Sequence, residues 1–199
     1  MAINRLTIDG YASLELNRVS FPITGRVVAD LPLNSGFNAA APAENGMILA
    51  VDYATGKVEL PTGPTDSRIL ALHCSPEKEY DPNLSGLNQF KLTAETTNTY
   101  QLTNQGFRPR LGLLSVGERF TENCITYNTA VSGFANNAQT LATLANCATT
   151  PVYGIVGNTG AIELIDALAG TETIAFQVVK KTTMPNGDIG VQFVVIKAQ

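Results

Sequence analysis

His73 and Cys74 are the neighbouring residues best suited to chemistry, and they end the apolar run 69–74. A thiolate and a histidine base act together when their side chains lie within hydrogen-bond reach. Residues 69–74 are predicted to form a strand, in which successive side chains point to opposite faces, so His73 and Cys74 are expected to diverge. The chain has no other histidine and no Gly-x-Ser-x-Gly sequence. We therefore predict no catalytic residues and no enzymatic activity.

Metal and nucleotide sites have no support in the residue pattern. No stretch spaces acidic ligands as a calcium loop does, and no glycine-rich phosphate-binding motif occurs. Three cysteines, odd in number and far apart, predict reduced thiols that act as small apolar side chains. They are Cys74, Cys124 and Cys147. The sequence predicts no metal site, no cofactor-binding site and no cofactor.

Glycoside hydrolysis uses a pair of carboxylates, and the candidates for such a pair are Asp52, Glu59 and Glu163. Each lies near a predicted turn, so we interpret them as residues on the solvent-exposed faces of strands. The chain has no tryptophan, which weakens a carbohydrate-binding interpretation.

Basic residues are few and scattered. The formal net charge is −4, and the thirteen Lys and Arg residues form no continuous basic patch, so we predict no nucleic-acid partner. Arg108 and Arg110 flank Pro109, and they either contact an acidic partner or form an ordinary solvated turn. No run approaches the ~20 apolar residues of a membrane span, and residues 1–10 lack a signal-peptide core. We expect a protein made in a cytoplasm, without a membrane partner.

Turn residues divide residues 45–74 into three short apolar runs. Residues 47–51 and 57–60 flank the turn at 53–56, and the alternation of polar and apolar residues over 57–60 is typical of a half-buried strand. Residues 69–74 return after a polar loop. We predict a three-stranded meander.

A second set of residues repeats this pattern. Residues 152–156 and 161–165 flank residues 157–160, and Thr-Gly stands at the same place as in the first hairpin. Each hairpin is followed by an apolar return, at 69–72 and at 174–176. Either the unit was duplicated, or two hairpins converged on one turn chemistry.

The chain closes on a predicted hairpin of residues 173–181 and 189–197 around an Asn-Gly turn. Val191, Phe193 and Val195 alternate along its second arm and are predicted to face the core. Residues 111–116 and 119–127 predict another strand pair. Residues 128–150 form an inserted loop or hold one short helix over 138–145, capped by Asn136 or Asn137.

The predicted fold is mainly β, a barrel or sandwich of about ten to twelve short strands with at most one short helix. With 199 residues the chain can bury about 70% of its unfolded surface in one body, assigned to residues 45–199. Residues 1–44 contain three prolines and little regular pattern. They form either an arm over a neighbouring subunit or an edge strand and loop of the same domain. The loop 75–87 is a further possible contact.

The segment 45–72, with Asn-Gly-Met-Ile-Leu-Ala-Val-Asp, Thr-Gly-Lys-Val and Ile-Leu-Ala-Leu in that order, resembles the small β domains of capsid decoration (cement) proteins of tailed phages. Residues 112–121 and 190–195 are similar to structural proteins of phages from Firmicutes hosts. The resemblance implies a non-enzymatic virion protein that binds the outer capsid surface and stabilises the head lattice. It also implies a homo-oligomer, a trimer at three-fold positions, with the major capsid protein as partner.

Two alternatives to this function stay open. The same composition suits a phage tail or baseplate component, and a host-surface binding module would use its loops to recognise a glycan or peptide. The residues predicted to contact the capsid lie in the arm and in the Arg-Pro-Arg turn: Leu14, Leu16, Val27, Val28, Leu31, Arg108 and Arg110.

Overall fold

The structure, a computed structural model, describes residues 12–38, 41–75, 91–92 (backbone only), 108–184 and 187–199. Its strands form a seven-stranded sheet, a five-stranded sheet and a two-stranded ladder. One sheet curves as a half-barrel, and the mainly β prediction is confirmed. The loop predicted at 75–87 lies outside the described residues except for its first residue.

The strands are numbered in chain order, and the first seven are β1 (Leu14–Arg18), β2 (Val27–Val28), β3 (Ala43–Glu44), β4 (Ile48–Asp52), β5 (Lys57–Glu59), β6 (Ile69–His73) and β7 (Lys91–Leu92). The others are β8 (Leu111–Gly112), β9 (Arg119–Glu122), β10 (Ile125–Tyr127), β11 (Tyr153–Val156), β12 (Ile162–Ile165), β13 (Ala175–Thr183) and β14 (Ile189–Lys197). The helices are α1 (Phe21–Thr24) and α2 (Asn137–Ala145).

The five-stranded sheet has the order β2-β8-β6-β4-β5 and is buried on both faces. Ile48 and Leu72 point into a main core that it shares with the seven-stranded sheet. Leu49 and Val51 point the other way, into a second core. Burial on both faces explains why residues 47–51 are a continuous apolar run rather than an alternating one.

The predicted meander is wrong in its strand order. β5 pairs with β4 as expected, but β6 pairs with the opposite edge of β4, so the order is β5-β4-β6. β4 therefore lies inside the sheet, where its backbone groups have partners on both edges and its apolar side chains are covered on both faces. A meander would have left β4 with β5 as its only neighbour.

The seven-stranded sheet has the order β1-β9-β14-β13-β11-β12-β10, and only β10 and β12 run parallel. β13 and β14 form the closing hairpin, as predicted. Val191, Phe193 and Val195 are all buried, which confirms the predicted core face. Phe193 packs against Phe120 and Phe176 with ring centroids 5.8 and 6.0 Å apart.

The units β4–β6 and β11–β13 share one strand order. In each, the first strand has its hairpin partner on one side and the return strand on the other. The likeness extends further, because Leu33 forms a parallel bridge with Val58 of β5, and β10 runs parallel to β12. Convergence on a Thr-Gly turn would explain the two hairpins but not the positions of the other two segments. The shared order of four segments favours duplication over convergence.

Residues 111–116 and 119–127 do not form the predicted strand pair. β8 lies in the five-stranded sheet, and β9 and β10 lie in the seven-stranded sheet. Gly117 has φ of +90° in the turn between β8 and β9. The chain crosses there from one sheet to the other, which lets Leu114 and Phe120 both enter the main core.

Two helices are present where at most one was predicted. The predicted helix is α2, and the side chain of its N-cap, Asn136, accepts a hydrogen bond from the Gln139 N–H. The other is α1, a single turn whose Pro22 lies where a missing N–H is tolerated. In the described part of the chain, neither helix is long and apolar enough to cross a membrane.

The described part of residues 1–44 packs on the body of its own chain. β1 and β2 are edge strands of the two large sheets, and Phe21 lies in the main core. Val28, Leu33 and Phe37 cover the second face of the five-stranded sheet. Coverage of a neighbouring subunit by the same segment stays a prediction.

Candidate functional site

His73 is buried in a hydrogen-bonded network and does not face Cys74. Its Nδ1 lies 2.8 Å from the Glu44 carbonyl oxygen and its Nε2 lies 2.8 Å from Ser75 Oγ. A carbonyl oxygen only accepts, so Nδ1 carries the proton and Nε2 accepts from the Ser75 hydroxyl. Burial lowers the pKa of His73 to about 4, although the Glu44 contact acts in the opposite direction. The ring therefore acts as a neutral cross-link between chain segments.

Glu122, the last residue of β9, is fully buried. Its cross-strand neighbours are Leu14 of β1 and Val191 of β14. Gly46 comes so close that a Cβ placed on it would lie 2.5 Å from Glu122 Oε2. Neither carboxyl oxygen has a hydrogen-bond partner among the described residues. Burial raises the pKa of Glu122 well above its ordinary value, which favours the neutral acid.

Arg68 joins two carboxylates on the loop that carries the chain across β4. It donates from Nη1 to Glu59 Oε2 and from Nη2 to Asp66 Oδ2, both at 2.7 Å. Its Nε also donates to Asp66 Oδ1 at 3.1 Å. The hydrogen bonds from Arg68 hold the pKa of Asp66 well below its usual range. The arrangement is a structural clamp, because Nε, Nη1 and Nη2 all donate to acceptors of the same chain.

The predicted capsid-contact residues are spread over the N-terminal segment rather than gathered at one place. Leu16 is 42% exposed, whereas Val28 lies in the second core. Leu14 and Val27 pack against the edge of the main core, and Leu31 packs against the second. Leu14 and Leu16 also line an open cavity of about 330 Å³ with Asn45, Cys74 and Ser75.

Arg108 and Arg110 differ in their surroundings. Arg108 is exposed, and Arg110 is half-buried beside the five-stranded sheet. The Arg110 backbone N–H donates to Ser75 Oγ at 3.0 Å, and its carbonyl oxygen accepts from the Cys74 N–H at 2.9 Å. This segment is therefore tied to the end of β6 and is not a free turn.

A different group of exposed side chains lies on the segments where β1 ends and β9 begins. These strands are antiparallel neighbours, so α1, which follows β1, lies beside the turn 115–118, which precedes β9. The group, which we call the Ile23 corner, consists of Arg18, Ile23, Val116 and Arg119. Ile23 is 90% exposed and Val116 is 64% exposed.

The sequence pattern did not predict this corner, because its two halves are far apart in the chain. One local signal was present. Phe21 and Ile23 flank Pro22, and two large apolar residues on either side of a helix-initiating proline cannot both face inward from a single turn.

No group of three or more His, Cys, Asp or Glu residues suited to a metal ion occurs in the described ranges. All three cysteines are free thiols; Cys124 and Cys147 are buried like small apolar side chains, whereas Cys74 is half-buried. A scan against protein-family models, a search of curated proteins and a search of solved structures each found no match to this chain.

Proposed function

We propose that the protein is a non-enzymatic structural protein of a tailed-phage virion that binds the outer capsid surface and stabilises the head lattice. The observation that carries the proposal is the resemblance of residues 45–72 to capsid decoration proteins. These residues contain β4, β5 and all but the last residue of β6 in the five-stranded sheet. The resemblance therefore lies in the framework of the body rather than in a terminal segment.

The partner would be the lattice of the major capsid protein. A protein that binds only where assembled subunits meet stabilises the assembled state by mass action, by about 2.7 kcal/mol per site when its concentration is 100 times the dissociation constant. The protein would be made in the host cytoplasm and end on the capsid surface. The resemblance favours a trimer at three-fold positions of the lattice.

A body with a core on each side of its five-stranded sheet suits a protein that stabilises a capsid lattice. The five-stranded sheet is covered on both faces, so the molecule has a core on each side of this sheet. Such a body would resist deformation when packaged genome presses outward on the lattice.

Electron microscopy of virions with gold-labelled antibody against this protein tests the proposal. We expect label over the head surface. Label along the tail or at the baseplate would replace the proposal with a tail component, and label at the fibre tips would favour a host-surface binding module. A second measurement adds the purified protein to heads that lack it, and we expect the temperature at which they release DNA to rise.

A further inference from the structure

The Ile23 corner displays the two most exposed large hydrophobic side chains of the described chain. A single exposed aliphatic side chain is ordinary on a protein surface. Ile23 and Val116 differ from that case because they lie on two separate segments that meet at one end of the seven-stranded sheet.

Both segments are held by a buried carboxylate. Glu118 Oε1 accepts from the Ser20 N–H at 2.6 Å and also from the Ser20 hydroxyl, while Oε2 accepts from the Ser115 N–H at 2.8 Å. Arg26 adds a hydrogen bond from Nη1 to Ser115 Oγ. The two exposed side chains therefore stand on a preorganised base, which lowers the entropy cost of binding.

The helix itself is anchored from below. Phe21 is fully buried in the main core, and its ring lies where a Cβ on Gly112 would be, so α1 packs directly on the β8 backbone. Gly25, with φ of +71°, ends the helix after one turn. With Phe21 fixed inward, Ile23 is fixed outward.

Two arginines lie at the same corner. Arg18 and Arg119 are directly paired in the β1–β9 ladder, and both are exposed. Like charges at such positions repel, and neither arginine has a carboxylate in ion-pair distance in the described part of the chain. A carboxylate supplied by another molecule would relieve this repulsion, and arginine binds carboxylates in bidentate geometry.

We propose that the Ile23 corner is a docking surface for an acidic protein surface, with Ile23 and Val116 in an apolar recess and Arg18 and Arg119 paired with carboxylates around it. This inference rests on the proposed function, because it takes the partner to be the capsid lattice. It deepens that function by naming the face that docks and the chemistry of the surface that receives it.

The two exposed aliphatic side chains favour a protein over a nucleic acid or a membrane. A phosphate backbone offers no recess for aliphatic side chains such as those of Ile23 and Val116. Membrane-surface segments usually combine a longer apolar face with interfacial aromatic residues, whereas α1 has four residues and the chain has no tryptophan.

Co-sedimentation of the purified full chain with capsids that lack it tests the inference. The test variants are Ile23→Asp, Val116→Asp and the double variant Arg18→Glu/Arg119→Glu. The matched controls are Tyr53→Asp and Lys57→Glu, which are exposed on the β4–β5 hairpin of the other sheet. All five variants change exposed side chains, and melting curves check that each one keeps its fold. The milder Ile23→Ala and Val116→Ala variants remove the side chain without adding a charge.

We expect each test variant to lose at least tenfold in affinity, about 1.4 kcal/mol, while the controls bind as the wild type does. Added salt should weaken wild-type binding more than binding of the double arginine variant. If the test variants bind the capsids with the affinity of the wild type, the inference is overturned and the proposed function stays intact. A wild type that does not bind these capsids would overturn both. If the wild type binds anionic vesicles or DNA instead, and the test variants lose that binding, the partner of the corner is a membrane or a nucleic acid and not a protein.

Discussion

At the scale of single residues, Glu122 makes stability fall as the pH rises. Burial raises its pKa, so the folded chain keeps a proton that the unfolded chain releases above about pH 4.5. Between that pH and the folded-state pKa, the free energy of unfolding drops by up to about 1.4 kcal/mol per pH unit. We expect Glu122→Gln to remove this slope, because an amide does not ionise.

Urea unfolding at a series of pH values from about 4.5 upwards, compared between the wild type and Glu122→Gln, measures the effect, because the contribution of His73 is common to both chains. Glu163→Gln is the matched control, because Glu163 is a half-exposed carboxylate on β12. A Glu122→Gln variant with the wild-type pH dependence over this range would contradict the raised pKa of Glu122.

His73 has the opposite effect in a lower range. Its folded-state pKa of about 4 lies below the ordinary value of 6.5, because burial disfavours the charged ring. The unfolded chain therefore takes up a proton first, and stability is lost as the pH falls from 6.5 towards 4, by roughly 3 kcal/mol in total. From about 4.5 to 6.5 the effects of His73 and Glu122 oppose each other.

His73 is the chain's only histidine, so its ring signal in a proton NMR spectrum needs no assignment. We expect its chemical shift to stay constant from pH 8 down to about 5. A midpoint near 6.5 would mean that the ring is open to water. The Glu122→Gln variant should reveal the stability loss on acidification that Glu122 masks in the wild type.

At the scale of elements, the closing hairpin supplies the centre of the main core. Phe193→Ala should cost roughly 3–5 kcal/mol, because the side chain is fully buried between Phe120 and Phe176. Val194→Ala is the control on the opposite, half-exposed face of β14 and should cost under ~1 kcal/mol. Denaturant unfolding measures both, and equal losses would contradict the assigned faces.

The packing of α1 on β8 gives a second prediction at this scale. Gly112→Ala would place a methyl group inside the Phe21 ring, so Phe21 must shift, at a cost of roughly 1–3 kcal/mol. Gly36→Ala is the control, because its nearest neighbour would be 3.6 Å away. Thermal unfolding compares the two. A Gly112→Ala chain as stable as Gly36→Ala would show that Phe21 is not held against β8.

At the scale of the whole molecule, the N-terminal segment closes both cores. Deleting residues 1–34 removes Phe21 from the main core and Val28 and Leu33 from the second, together with β1 and β2. We expect the shortened chain to aggregate or to lose cooperative unfolding. Deleting only residues 1–11 removes none of these core residues or strands and is the matched control. A soluble 35–199 body that melts within a few degrees of the full chain would support the predicted arm instead.

Local patterns were sufficient to predict the features that short stretches decide. The period of two placed Val191, Phe193 and Val195 on one face, and turn residues located the three hairpins. Asn136 was predicted as one of two caps for α2 because an N-cap depends on neighbours within one turn. The face of a strand residue, the position of a turn and the position of an N-cap each depend only on the types and backbone geometry of residues that are adjacent in sequence.

Only the tertiary structure decided how these pieces combine. β6 pairs with the far edge of β4, and β8 and β9 enter different sheets, because burial of both faces of the five-stranded sheet outweighs pairing between neighbours in sequence. Glu122 is enclosed because β1 and Gly46 arrive from distant parts of the chain. The Ile23 corner exists for the same reason, since the ladder between β1 and β9 brings Arg18 beside Arg119. The sequence alone determined the hairpins and the core face, whereas long-range pairing determined the surroundings of Glu122 and the Ile23 corner.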